Sequence, residues 1–281
     1  MGVINTPSAK RVDASAIQKQ TARLMNSVHR VLDLALGKQT PPGLCALAVM
    51  TKAPRAGRVK TRLTPPLTPE EAAALNICFL RDTTAAISTT AKEGIARGIC
   101  VYTPVGEEAA YANILPQDFE LVPQRGNLFG ERLIAATQDL FTLGFSSVCL
   151  IDSDSPTVPQ SAYSQAAKLL SQPGERIVFG PSDDGGYYLI GLKRLHRRVF
   201  EGIDWSTERV ADQTIARAKE IGVAVELLPT WYDVDDRATL RRLCNELLAE
   251  QESPAGYAAP ATRGFLGDLI ALEGRDRIWP L

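Results

Sequence analysis

The chain has 281 residues, of which 45% are hydrophobic, and its formal net charge at pH 7 is −1. This size and composition allow one substantial buried core and exclude an intrinsically disordered protein. No apolar stretch approaches the ~20 residues that a membrane-spanning helix needs, and the near-neutral charge gives no footprint for non-specific nucleic-acid binding. We therefore expect a cytoplasmic protein that neither spans a membrane nor binds nucleic acid.

The cysteines and histidines restrict the possible metal chemistry. The five cysteines are an odd number, are widely spaced and form no C-x-x-C pair, which predicts buried thiols in a cytoplasmic protein. Only two histidines are present, which excludes a histidine-rich zinc centre. Any metal should therefore be a hard cation, Mg²⁺ or Mn²⁺, held by oxygen ligands.

The first 43 residues carry apolar side chains at roughly helical spacing and predict an N-terminal helical extension outside the catalytic sheet. From residue 44, strand-like and helical runs alternate. We predict strands over 44–50, 98–103, 147–151, 176–180, 187–192 and 223–228, and helices over 69–91, 130–142, 160–171, 207–221 and 236–249.

This order of elements predicts an α/β domain over residues 44–250, built on a mainly parallel sheet flanked by helices. Ligands of such sheets bind at the carboxyl ends of the strands. Residues 251–281 mix proline, glycine, alanine and charged residues with a short apolar piece, and we interpret them as a C-terminal tail without chemistry.

A basic loop follows the first predicted strand. Between Leu44 and Pro69 the sequence has five basic residues and no acidic one. Gly57 permits close backbone approach, and the cationic side chains of Lys52, Lys60 and Arg62 suit phosphate. A solvated basic surface loop is the alternative, but the position between a buried strand and a capped helix favours a phosphate site. The spacing of glycine and lysine excludes a P-loop.

Two aspartates come directly after the strand predicted over 147–151. Asp152 and Asp154 are two residues apart, and Pro156 stops the strand from continuing. Two carboxylates at this spacing can share Mg²⁺ or Mn²⁺ while nucleotide phosphates complete the coordination shell. Asp-Ser pairs after strands also form ordinary Asx turns, so the motif alone leaves both interpretations open.

Two further acidic clusters follow. Asp183 and Asp184 precede Gly185 and Gly186 in a turn between two strands, and a tyrosine pair follows the turn. A plain hairpin turn would explain the glycines, whereas a carboxylate there could accept a proton from an acceptor hydroxyl.

The last cluster is Asp233-Val234-Asp235-Asp236. Asp236 is best explained as a helix cap, and Asp233 or Asp235 could be a further metal ligand. The three acidic clusters and the basic loop should meet at one rim of the sheet. Their convergence, more than any single motif, predicts the functional site.

Several ordered motifs within residues 45–245 resemble a bacterial family. They are Lys52-Ala53-Pro54, Lys60-Thr61-Arg62-Leu63, Asp154-Ser155-Pro156, Asp184-Gly185-Gly186-Tyr187-Tyr188-Leu189-Ile190-Gly191, Trp205-Ser206-Thr207 and Asp233-Val234-Asp235. The family is GT-A-like, was long described as a domain of unknown function, and is often labelled a glycosyltransferase linked to arsenosugar biosynthesis. Some of the motifs also resemble phospholactate guanylyltransferases and, more distantly, molybdenum-cofactor nucleotidyltransferases.

The resemblance implies a GT-A fold and assigns roles to individual residues. Lys60 and Arg62 would contact nucleotide phosphates, Asp154 the metal, Asp184 with Gly185 and Gly186 the acceptor side, and Asp235 a supporting metal position. The family's usual Gly-Asp-Leu-Gly-Glu-Arg stretch is here Gly126-Asn127-Leu128-Phe129-Gly130-Glu131-Arg132. The resemblance also leaves Asp152 without a role, because the family commonly has Gly before its Asp-Cys-Pro tripeptide.

The first hypothesis for function is a metal-dependent glycosyltransferase that transfers a sugar from a nucleotide sugar to a small-molecule acceptor. The second is a nucleotidyltransferase that joins a nucleoside triphosphate to a phosphorylated or phosphonate acceptor. A noncatalytic nucleotide-binding protein is the third, and the many clustered carboxylates argue against it, because binding alone does not need so many charges in one place.

Overall fold

The computed structural model describes residues 29–249 and 256–278. Within them, seven strands form one sheet: β1 (Cys45–Lys52), β2 (Ala96–Thr103), β3 (Glu120–Pro123), β4 (Ser147–Ile151), β5 (Arg176–Pro181), β6 (Tyr187–Leu192) and β7 (Ala224–Leu227). The strand order is β3-β2-β1-β4-β6-β5-β7. Only β6 runs antiparallel to its neighbours, which confirms the predicted mainly parallel sheet.

The described part of the chain contains seven α-helices: α1 (Pro69–Ala91), α2 (Phe129–Thr142), α3 (Gln160–Ser171), α4 (Val210–Glu220), α5 (Arg237–Leu248), α6 (Pro260–Glu273) and α7 (Arg275–Ile278). Helices α1 and α3 cover one face of the sheet, and α2 and α4 cover the other. Alternate residues of β1 point to opposite faces, so that Leu47 packs in one core and Ala48 in the other.

The start of α1 follows from local sequence. The Thr68 hydroxyl accepts a hydrogen bond from the Glu71 backbone N–H at 3.2 Å, and the Glu71 carboxylate accepts one from the Thr68 N–H at 2.8 Å. Pro69 occupies the first helical position, where its missing N–H costs nothing. This capping box confirms the predicted helix start and fixes where the basic loop ends.

The N-terminal region differs from its prediction as far as it is described. Residues 1–28 of the predicted helical extension lie outside the described residues. Residues 30–32 are extended and run beside β3, with the Leu32 N–H donating to the Leu121 carbonyl at 2.9 Å. Strand β3 itself was not predicted, because its two central apolar residues are too few to show an alternating pattern.

The C-terminal region also differs from the predicted tail. Helix α6 packs against α1 and α5, and its Leu266 and Leu269 are buried in a third apolar cluster. Asp82 of α1, 1% exposed, accepts hydrogen bonds from the backbone N–H groups of Ala261 and Thr262 at 3.0 and 2.7 Å. The side chain therefore caps a helix some 180 residues later in the chain.

Two other predictions concern composition. All five cysteines are buried free thiols, as expected. Among the described helices, none is both long and apolar enough to cross a bilayer.

We predict that Asp82→Ala lowers the free energy of unfolding by about 2 kcal/mol, because it leaves two N–H groups at the start of α6 without an acceptor. Urea denaturation measures the loss. Asp82→Asn keeps one acceptor oxygen and should cost less. Asp268→Ala, an exposed aspartate of α6, should change the value by no more than about 0.5 kcal/mol. Equal losses for Asp82→Ala and Asp268→Ala would contradict the capping role.

Candidate active site at the carboxyl edge of the sheet

Four segments meet where β1, β4 and β5 end. They are the basic loop after β1, residues 152–155 after β4, the turn 182–186 between β5 and β6, and residues 231–236 before α5. Because β6 is antiparallel to β4 and β5, the turn that precedes it lies at the same edge as the carboxyl ends of the parallel strands. The sheet thus brings together the segments that the sequence predicted to converge.

Lys60 lies at the centre of this region. Its ammonium nitrogen is 2.8 Å from Asp154 Oδ1 and 3.0 Å from Asp235 Oδ1, and it donates to the Val234 carbonyl at 2.8 Å. The Lys60 side chain is only 4% exposed, whereas the two carboxylates are 36% and 41% exposed. It therefore joins the basic loop, the end of β4 and the segment before α5 through one buried cation.

Burial alone would lower the pKa of Lys60, but the charges of Asp154 and Asp235 more than offset it, and the pKa lies above its ordinary value. The Phe79 ring, 5.4 Å from the ammonium nitrogen, adds a further favourable contact. Three oxygen partners match the three N–H donors of an ammonium group. A phosphate would have to replace one of these partners to contact Lys60.

Lys60 also has an unusual backbone conformation. Its φ is 48° and its ψ is 38°, in the left-handed region that few residues other than glycine adopt. The residue directly precedes the short 3₁₀ helix Thr61–Leu63, whose Leu63 is fully buried. The strained backbone and the anchored Leu63 together direct the Lys60 side chain inwards and leave Arg62, 71% exposed, facing solvent.

The two aspartates after β4 have different environments. Asp152 accepts a hydrogen bond from the Ser155 hydroxyl at 2.7 Å. Burial, reinforced by the nearby charge of Asp154, raises the pKa of Asp152 well above its ordinary value. Asp154 is more open, and its second carboxylate oxygen is not part of the contact with Lys60. Asp154 is therefore the better placed of the two to bind a cation.

The β5–β6 turn separates its two aspartates. Asp183 forms an ion pair with Arg242 of α5, which draws it away from the site. Asp184 Oδ1 accepts the Gly186 N–H at 2.8 Å, which orients its carboxylate. Gly185 has a φ of +89°, and a Cβ there would lie 2.1 Å from the Glu208 carbonyl oxygen. Only glycine fits this turn.

The segment before α5 carries three aspartates with distinct roles. Asp236 accepts the Thr239 N–H at 2.9 Å and caps α5, as predicted. Asp235 faces Lys60 and lies 3.6 Å from an Arg62 guanidinium nitrogen. Burial and the charges of Asp184 and Asp235 raise the pKa of Asp233 to about 6.

Two adjoining cavities lie on either side of Asp154 and Asp235. The first, which we call the basic cavity, has a volume of about 250 Å³ and is lined by Lys52, Val59, Lys60, Thr61, Arg62, Asn76, Ser153, Asp154 and Asp235. The second, the acidic cavity, has a volume of about 360 Å³ and is lined by Arg62, Phe129, Asp152, Asp154, Ser182, Asp184, Gly186, Tyr187, Trp205, Ser206, Thr207, Glu208, Val210, Asp233 and Asp235. The two cavities share Arg62, Asp154 and Asp235.

The structure brings most of the predicted site residues to these cavities. The residues that line one or both are Lys52, Lys60, Arg62, Asp152, Asp154, Asp184, Gly186 and Asp235. Asp183, Gly57 and Gly185 line neither cavity. Gly57 is exposed, with no atom within 4 Å of an added Cβ. Tyr188 is buried and donates its hydroxyl to the Pro229 carbonyl, so it is unable to stack on a ligand.

Several lining residues were not predicted from sequence. Trp205 and Phe129 form an edge-to-face pair with ring centroids 4.9 Å apart at the wall of the acidic cavity. Ser206, beside them, has a φ of +65°, an unusual value for a residue with a side chain. The Trp205-Ser206-Thr207 motif was visible in the sequence, but nothing in it indicated which side chains face a ligand.

The donor set suits a hard cation only in part. Asp154 and Asp235 each direct one oxygen towards the same point, where the Lys60 ammonium lies. Across residues 29–249 and 256–278, no group of three His, Cys, Asp or Glu side chains is arranged to hold a metal ion. A divalent cation at Asp154 and Asp235 would need further oxygens from a ligand or water.

Comparisons with known proteins support the resemblance inferred from the sequence. Residues 86–207 match the family described as uncharacterized protein conserved in bacteria, DUF2064. A crystal structure of a proposed nucleotide-diphospho-sugar transferase from Desulfovibrio desulfuricans G20 is 29% identical, with a TM-score of 0.70. That alignment covers 83% of this chain and 97% of the other. These findings confirm the resemblance and the GT-A-like fold, and they support a transferase.

Two more distant structures have TM-scores below 0.5. CMP:2-keto-3-deoxy-manno-octonic acid synthetase in complex with CTP has a TM-score of 0.46 and 11% identity, over 71% of this chain and 96% of the other. A mannosyltransferase from Pyrobaculum calidifontis in complex with GDP-Man and Mn²⁺ has a TM-score of 0.43 and 14% identity, over 92% of this chain and 82% of the other. At this level neither structure bears on the function of this chain. None of the curated proteins matches it.

We predict that Lys60→Met lowers the free energy of unfolding by about 1–3 kcal/mol, because it leaves two neighbouring carboxylates without their shared cation. The partial exposure of both carboxylates keeps the loss below that of a fully buried pair. Lys168→Met serves as the control, since Lys168 pairs with Glu93 at the surface and is 61% exposed. Urea denaturation should show that the control lowers the free energy of unfolding by no more than about 1 kcal/mol. A loss for Lys60→Met no larger than the loss measured for Lys168→Met would contradict the central role of the Lys60 ammonium.

Asp233→Asn should change the pH dependence of stability. A folded-state pKa of about 6, raised from 3.8, favours the protonated carboxyl. The raised pKa of Asp233 therefore adds to the free energy of unfolding. This contribution is fully present below pH 3.8 and is lost as the pH rises through 6. Asparagine does not titrate, so the variant does not lose this contribution as the pH rises. Its free energy of unfolding relative to that of the wild type should therefore be greater at pH 7.5 than at pH 4.5. Urea denaturation at both pH values, with chelator present, measures the difference. A difference independent of pH would contradict the raised pKa.

Proposed function

We propose that the chain is a metal-dependent glycosyltransferase that transfers a sugar from a nucleotide-sugar donor to a small-molecule acceptor, and that residues 44–250 carry this activity. The observation that carries the proposal is the pair of adjoining cavities, one basic and one acidic, that share Asp154 and Asp235. A nucleotide sugar matches these two cavities. Its anionic diphosphate suits the basic cavity, and its neutral, hydroxylated sugar suits the acidic cavity.

The basic cavity is proposed to hold the nucleotide. Lys52 and the exposed Arg62 are free to approach phosphate oxygens, and Arg62 can exchange its 3.6 Å contact with Asp235 for a phosphate. Lys60 contributes its charge from behind the two carboxylates. Asp154 and Asp235 would hold Mg²⁺ or Mn²⁺, with Asp152 supporting them from a more buried position. When bound, the cation would neutralise part of the negative charge on the leaving diphosphate.

The acidic cavity is proposed to hold the sugar and the acceptor. Trp205 and Phe129 provide apolar ring surface for a sugar, and Asp184 and Asp233 provide hydrogen-bond acceptors for hydroxyl groups. For a transfer that inverts the anomeric centre, Asp184 would take the proton of the attacking acceptor hydroxyl while the bond between the sugar and the diphosphate breaks. An anionic acceptor would meet repulsion at this cavity.

A nucleotidyltransferase is the second candidate. The three cations of the basic cavity would also suit a nucleoside triphosphate. In that reaction the acceptor oxygen attacks the α-phosphate and pyrophosphate leaves. The carboxylates that line the acidic cavity disfavour the phosphorylated or phosphonate acceptor that this reaction would use.

The two reactions release different products, which gives the decisive experiment. The purified protein is incubated with Mn²⁺ and either nucleotide sugars or nucleoside triphosphates, and products are identified by mass spectrometry. We expect a nucleoside diphosphate from a nucleotide sugar, by slow hydrolysis when no acceptor is added. Asp154→Asn should abolish this release while the variant stays folded. Pyrophosphate from a triphosphate would instead support the nucleotidyltransferase, and the absence of both products would support a noncatalytic binding protein.

A further inference from the structure

Asn76 is a polar residue in an apolar stretch of α1. Its neighbours Ala72, Ala73, Leu75 and Phe79 are buried and pack in the core, and Asn76 itself is only 3% exposed. Its Oδ1 atom is buried and accepts no hydrogen bond from any described residue. A buried amide oxygen without a donor destabilises a folded protein, so Asn76 needs a donor from outside the described residues, either a water molecule or a bound ligand.

The position of Asn76 indicates where such a partner would come from. Asn76 lines the basic cavity together with Lys52, Lys60 and Arg62. Lys52 and Arg62 in this wall can donate hydrogen bonds to the oxygens of a phosphate, whereas the three donors of Lys60 are already paired within the protein. The Asn76 oxygen is an acceptor, and an ionised diphosphate has no donor to offer it. A ligand that pairs with both the cations and the Asn76 oxygen must carry phosphate oxygens together with a hydroxyl or N–H group.

We propose that Asn76 binds the nucleoside part of the donor, accepting a hydrogen bond from a ribose hydroxyl or from an N–H group of the base. This inference rests on the proposed function, because it takes the basic cavity to be the nucleotide site. It adds a binding residue on α1, outside the strand-end clusters, and it places the nucleoside and the diphosphate in the same cavity.

A role in ligand binding makes a prediction that a structural role does not. Leucine is close to asparagine in size and has no polar atom, so Asn76→Leu removes the unpaired oxygen without opening a hole. The variant should melt at the same temperature as the wild type or higher, because no buried acceptor remains unpaired. A residue that merely supports the fold would lower the melting temperature when replaced.

The experiment compares ligands that do and do not contain a nucleoside. Isothermal titration calorimetry in the presence of Mg²⁺ measures binding of UDP, CDP, GDP, ADP and inorganic pyrophosphate to the wild type and to Asn76→Leu. We expect the variant to bind the best nucleoside diphosphate about tenfold more weakly, the size of one lost hydrogen bond to a buried group, and pyrophosphate within about twofold. Asn76→Ala serves as a second variant in case leucine disturbs the packing.

Thr83 provides a matched control. It lies on the same helix, is 1% exposed and has a buried hydroxyl without a partner, but it does not line the basic cavity. Thr83→Val should leave the affinity for every ligand unchanged. If Thr83→Val weakens binding as much as Asn76→Leu does, the effect is a general one of α1 and the proposal is overturned.

The remaining outcomes each decide one question. Equal weakening of nucleoside diphosphate and pyrophosphate, or no weakening of either, would overturn the role of Asn76 while leaving nucleotide binding in place. A wild-type protein that binds no nucleoside diphosphate would overturn the proposed function together with this inference. A loss that is the same for all four bases assigns the contact to the ribose, and a loss confined to one base assigns it to that base.

Discussion

The Lys60 ammonium is the contact on which the site depends. It reaches two carboxylates and one carbonyl from segments far apart in the sequence, and it is almost completely buried. Without a cation at this point, Asp154 and Asp235 would repel one another at the junction of the two cavities. The same ammonium occupies the position towards which both carboxylates point. Lys60 therefore compensates the negative charges of Asp154 and Asp235, the residues that we propose bind a divalent cation.

The sheet topology explains why one edge can carry opposite chemistry on its two sides. The basic loop follows β1, whereas the Asp184 turn lies between β5 and β6 on the far side of β4. Asp154, at the end of β4, lies between them. Because β6 is antiparallel, an acidic tight turn stands where a parallel arrangement would place a long crossover. The division into a basic and an acidic cavity therefore follows from strand order.

Much of this architecture could be predicted from the sequence because the relevant signals are local. The buried strands are continuous apolar runs, and the Thr68–Glu71 capping box fixes the start of α1. The predictions failed where a role depends on distant partners. Asp183 and Asp184 look alike in sequence, yet Asp183 forms an ion pair with Arg242, whereas Asp184 lines the acidic cavity. Asn76 lies inside an apolar helical pattern, and only the folded structure shows that its oxygen lacks a donor.

The close fit at Gly185 constrains how the acidic cavity could diversify. The backbone of Glu208 lies against Gly185, and the N–H of Ala211, in the first turn of α4, donates to the Gly185 carbonyl at 2.8 Å, so the turn is joined to the start of α4. A shift of either backbone would break this hydrogen bond. Under the proposed function, acceptor preference would be altered through side-chain changes at positions such as Phe129 and Glu208, whose exposed side chains can be exchanged without altering the backbone that orients Asp184.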